Sequence, residues 1–91
     1  MGTFHHGKHE LHGITVAVDT DGPELYVGRC HDLDAERVIL LDVDVHCEGE
    51  GGRSKDEYLR RAAVYGVFKK HDSVVLDRRR VTSVRRLADV A

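Results

Sequence analysis

Residues 69–86 carry eight basic side chains: Lys69, Lys70, His71, Arg78, Arg79, Arg80, Arg85 and Arg86. Guanidinium and ammonium groups at this density neutralise several phosphates at once, so the chemistry they point to is electrostatic binding of RNA or another polyanion. Aromatic rings that would stack bases beside them are few, with only Tyr65 and Phe68 nearby. The plainer alternative is a solvated rim whose cations meet carboxylates of the same chain or of a neighbouring copy, Asp42 and Asp44 being the natural mates.

Other reactive groupings are weaker. Seven histidines include His5, His6, His9 and His12 near the start, His31 beside Cys30 and His46 beside Cys47. A first hairpin turning at Gly22 brings His12 near His31 and Asp32, a grouping of zinc or copper type. Neighbours along a strand point to opposite faces, however, so neither Cys-His pair chelates as a unit. The run His9-Glu10-Leu11-His12 is one residue short of the H-E-x-x-H signature. No metal and no cofactor is assigned, and the thiols read as buried core residues. Asp42 and Asp44, about 7 Å apart on one strand face, match paired-carboxylate spacing, but alternating acids more often mark the wet face of an antiparallel strand. No nucleophile elbow, P-loop or dinucleotide fingerprint is present, and Ser54 is committed to a helix cap. The expectation is a non-catalytic protein.

Charge is distributed unevenly. Residues 1–50 hold three cations against eleven acids, a balance of −8, whereas residues 51–91 hold eleven cations against five acids, a balance of +6; together these give the net −2 of the chain. Such a dipole favours a polyanionic partner or head-to-tail self-association. Ninety-one residues make one domain burying roughly 60–65 % of the unfolded surface, and the absence of tryptophan predicts an aliphatic core. Two cysteines without a C-x-x-C pair, and no apolar leader, predict a reduced, cytoplasmic home. No apolar run is long enough for a membrane span.

The positioning elements follow from periodicity. Residues 1–12 read as a flexible, His-rich arm, 13–87 as the domain and 88–91 as a tail. Ile14–Asp19 alternates as a half-buried strand, Thr20-Asp21-Gly22-Pro23 is turn chemistry, and Leu25–Leu33 is a second strand with Gly28 marking a bulge or bend. Arg37–Cys47 is the third, with Ile39, Leu41, Val43, Val45 and Cys47 expected on one face and Leu40, Asp42, Asp44 and His46 on the other. That phase leaves Val38 and Leu40 on an outer, partly exposed face. Ser54-Lys55-Asp56-Glu57 is a capping box opening a helix at about 55–65, in which Leu59, Ala62 and Ala63, with Tyr58 and Tyr65, share helical spacing and Gly66 ends it. Ser73–Asp77, a tight turn at Arg78–Arg80 and Val81–Leu87 form a closing strand pair.

This order of elements resembles the Sm-like (Lsm/Hfq-type) small β-barrel. The residues that carry the resemblance are Val16-Ala17-Val18, Asp21-Gly22, Gly28, Asp34 and Ile39–Leu41 for the first motif, and Val74-Val75-Leu76 with Val81 for the second. The resemblance implies a mainly β fold: a five-stranded, strongly bent barrel with one helix inserted between strands 3 and 4. It does not carry the family's nucleotide pocket, because Val38 stands where a loop Asn is expected and Asp77 and Arg78 stand in place of an Arg-Gly pair. The expectation is a self-associating homo-oligomer, outside any membrane, that binds RNA or another polyanion through Lys69, Lys70, Arg78, Arg79, Arg80, Arg85 and Arg86. The alternative is a structural or adaptor subunit whose basic rim pairs with a neighbour's acidic strands. Exposed edges on the fourth and fifth strands favour ring or dimer formation by strand addition.

Overall fold

The computed structural model describes residues 11–90. Five antiparallel strands, β1 (Thr15–Thr20), β2 (Glu24–Leu33), β3 (Arg37–Cys47), β4 (His71–Asp77) and β5 (Val81–Arg86), form one sheet in the order β4-β3-β2-β1-β5. A single α-helix, α1 (Lys55–Tyr65), lies between β3 and β4, and short 3-10 turns occupy Glu50–Gly52, Arg78–Arg80 and Leu87–Asp89. Among the described residues no helix is long and apolar enough to cross a membrane. The His-rich arm lies outside the described residues except for His12 and Leu11, and Leu11 packs on the core.

The sheet is bent, but it is not a closed barrel. Laid flat, β4 and β5 would stand four strand spacings apart, roughly 19 Å. They are joined only by the Arg78–Arg80 turn, which at about 2 Å per residue covers roughly 8 Å, so the sheet must curl until its two edges meet at one corner. There the turn spends its backbone on other loops: Arg78 N donates to Glu36 O at 3.0 Å, and Asp21 N donates to Arg80 O at 2.9 Å. The expected closing pair is therefore corrected, since β4 pairs with β3 and β5 with β1, and not with each other.

A bulge sets the bend. Val27 faces Asp44 and Arg29 faces Leu41, so two steps on β2 match three on β3. Asp42 absorbs the extra residue at φ 54°, in the left-handed region that Asp tolerates better than most residues. Gly28 sits opposite; a Cβ there would come within 2.9 Å of Leu41 O and 3.0 Å of Val43 Cγ2. The bulge also corrects the phase expected for β3. Val38, Leu40 and Val43 share the inner core with Val16, Val18, Cys30 and Leu76, and Val38 and Leu40 are fully buried, not on an exposed outer face.

A second, smaller core covers the outer face of β1 and β2, where Ala17, Leu25 and Val27 meet Leu59 of α1, with Tyr58, Val67, Leu87 and Val90 around them. Strand β1, flanked by β2 and β5, is thus buried on both faces. The capping box forms as expected: Ser54 Oγ accepts from Glu57 N and Glu57 Oε1 accepts from Ser54 N, while Gly66 closes the helix at φ 77°. Leu59 and Ala62 are buried, whereas Tyr65 is left in solvent, contrary to its expected place on the packed stripe. Cys30 is buried, but Cys47 is exposed at the end of β3, where none of the described elements covers it.

Candidate functional site

The seven cations singled out from the sequence lie in three groups. Arg78–Arg80 occupy the corner turn. Asp77 caps that turn by accepting from Arg79 N, and its other oxygen accepts from Arg79 Nη2 at 2.8 Å. The Arg79 hydrogen bonds hold the Asp77 carboxyl down at about 2. Arg80 Nε donates to Asp21 at 3.0 Å across the turn. Two of the three guanidinium groups are thus matched by carboxylates of their own chain.

Lys69 and Lys70 precede β4, about 20 Å from the corner by strand rise. Lys69 donates to Asp72 at 2.8 Å and lies 3.6 Å from Asp42, which is itself gripped by Arg29 at 2.6 Å; the Arg29 hydrogen bond keeps the Asp42 carboxyl below the usual range. Lys70 donates to Val45 O at 3.1 Å and stands 3.4 Å from Asp44. Arg85 and Arg86 end β5, opposite Ala17 and Val16, about 17 Å from Val81. No single border gathers all seven.

The acids of β3 behave differently from one another. Asp44 and His46 are buried rather than on a wet strand face, because α1 and the segment after it cover them. Tyr58 OH donates to Asp44 Oδ2 at 2.6 Å, and the Tyr58 ring stacks on His46 with centroids 4.6 Å apart. Burial, then the bond to Asp44, pushes the Tyr58 phenol far above its ordinary range. His46 Nε2 lies 2.9 Å from Arg53 O, so that nitrogen carries the proton, while Nδ1 faces Glu50 at 3.6 Å.

Beside this cluster runs a groove of about 370 Å³ between α1 and residues 66–70, lined by Asp44, Tyr58, Tyr65, Phe68 and the cations Arg53, Arg61 and Lys70. Tyr65 and Phe68 are 77 % and 93 % exposed, an arrangement that leaves two aromatic faces in water beside positive charge. The Arg61 guanidinium sits 5.6 Å from the Tyr65 ring centre. Among the described residues, Arg53, Arg60, Arg61, Arg78, Arg85 and Arg86 form no ion pair. On the other flank of α1, Arg60 and Arg85 line a shallow hollow with Asp56 and Asp89.

Sequence reasoning passed over Arg53 and Arg61 because neither lies in the dense basic run. The available signal was the helical spacing of Tyr58, Arg61, Ala62 and Tyr65, which sets them along one side of α1. It also passed over Lys55, whose ammonium donates to Asp19 at 2.7 Å and to Gly22 O at 2.7 Å, tying the start of α1 to the β1–β2 turn. The metal grouping is only partly assembled: His12 Nδ1 lies 2.8 Å from His31 O, and among the described residues no three His, Cys, Asp or Glu side chains converge. His5, His6 and His9 lie outside the described residues. The chain matches no protein-family model and no curated protein.

Proposed function

We propose that this chain is a non-catalytic, self-associating, Sm-like module that binds RNA or another polyanion. The observation that carries the reading is the placing of the unpaired guanidinium groups of Arg53 and Arg61 in the groove beside α1, next to two exposed aromatic rings. Cations without carboxylate partners are the ones whose counterions are released when phosphates arrive. Of the seven residues expected from sequence, Arg78, Arg85 and Arg86 keep a leading place; Lys69, Lys70, Arg79 and Arg80 are engaged by Asp72, Asp44, Asp77 and Asp21 and contribute less.

The bent five-stranded order and the bulge at Gly28 support the Sm-like resemblance. Self-association is supported by the outer edges of β4 and β5, each paired on one side only among the described residues, with Val75 of β4 61 % exposed. The adaptor alternative loses its acidic mates, because Asp42 and Asp44 are engaged by Arg29, Tyr58 and the lysines of their own chain.

Fluorescence anisotropy with a labelled single-stranded RNA, titrated across salt, tests the binding. Three phosphate contacts would give a slope of about −2 in log K against log salt, at about 0.7 per contact. Absence of binding at low salt would end the reading. Light-scattering mass tests self-association; a monomer at all concentrations would remove that part.

A further inference from the structure

We infer that the groove between α1 and residues 66–70 receives an unstacked nucleobase of a single-stranded nucleic acid, a site that gives the polyanion reading above its ligand geometry and rests on it. Three features converge. The rings of Tyr65 and Phe68 stand exposed at the mouth, and exposed aromatic faces beside cations match a ligand that is both flat and anionic. Arg53, Arg61 and Lys70 supply the positive charge along the same opening. Asp44, 8 % exposed at the inner end, carries an oxygen, Oδ1, that finds no hydrogen-bond donor among the described residues and has the Lys70 ammonium 3.4 Å away.

These charges orient the ligand. A carboxylate at the inner end repels a phosphate and tolerates the N–H edge of a base, so the base enters and the phosphate stays at the cationic mouth. A duplex keeps its bases stacked inside and cannot present one to this groove, whereas a flexible single strand can. Because stacking uses the face that every base has, the site is tolerant of sequence.

The test compares wild type with Phe68→Ala, Tyr65→Ala and Arg61→Ser in anisotropy titrations against a labelled single-stranded oligoadenylate and against the same strand annealed to oligouridylate. Phe68 is almost wholly in solvent, so its loss does not threaten the fold. Expected results are about tenfold weaker single-strand binding for Phe68→Ala with the salt slope kept, a slope smaller by about 0.7 for Arg61→Ser, and weaker binding of the duplex by wild type. Salt-dependent binding that is identical in wild type and Phe68→Ala would overturn the groove while leaving the polyanion reading in place. No binding by wild type at low salt would overturn both. Equal affinity for duplex and single strand would also overturn the groove, as would a drop in oligomeric mass in Phe68→Ala without a change in affinity, which would assign the surface to a second copy of the chain.

Discussion

The corner turn at Arg78–Arg80 and the groove beside α1 each present three cations, yet they differ in what surrounds them. At the corner, Asp77 and Asp21 stand within 3.0 Å of two of the guanidinium groups. In the groove, Lys70 stands 3.4 Å from Asp44, but Arg53 and Arg61 have no carboxylate partner among the described residues and line the same opening as Tyr65 and Phe68. Charge density along a sequence therefore overstates the charge a partner meets. What counts is the charge left after the fold has brought its own acids in.

Four changes would break or sharpen this contrast. Leu59→Ala removes the buried anchor of α1 and should cost about 2–5 kcal/mol in chemical denaturation. Amide exchange should then rise along α1 while the Arg78–Arg80 turn, held by Glu36 and Asp21, keeps its protection; equal loss at both would mean the two regions are one cooperative unit. Tyr58→Phe takes the hydroxyl donor from the buried Asp44 and should cost about 1–3 kcal/mol. The raised Tyr58 phenol adds stability that is fully present below its ordinary value of 10.0 and is lost as pH rises above it, so wild-type melting temperature should fall more steeply than that of Tyr58→Phe in alkali. Parallel curves would remove the Tyr58–Asp44 bond from the account.

Ser54→Ala deletes the helix cap and should cost about 1 kcal/mol, fraying the groove wall without touching the corner. The smallest expected effect is also the sharpest. Asp21→Asn together with Asp77→Asn frees Arg80 and Arg79, so the RNA salt slope should steepen by about 0.7 for each released cation that finds a phosphate. An unchanged slope would show that these arginines are not held in reserve by their acids.

Much of the fold was legible because it is local. Ser54 and Glu57 announce the helix start by spacing alone, Gly66 its end, and the strand spans follow a two-residue period that local sterics enforce. Gly28 was readable as a bend because a residue without a side chain weakens a strand interior and so marks a bulge or a close backbone approach. The inward face of β3 was not legible. A left-handed Asp42 shifts the phase by one residue, and Asp42 has the same place in the alternating pattern whether or not it bulges. Tyr65 misled for a related reason: helical spacing gives a stripe but not how far the neighbouring surface extends to cover it.

By itself the sequence determined the element types, their order, the aliphatic core and the separation of acidic and basic halves, since each of these depends on neighbours within a few positions. The tertiary structure alone decided that the sheet curls without closing, that Asp44 goes under Tyr58, and which arginines remain uncompensated. Those outcomes depend on distances of about 3 Å between residues far apart in the chain, such as Asp21 and Arg80, and no spacing along the sequence encodes them.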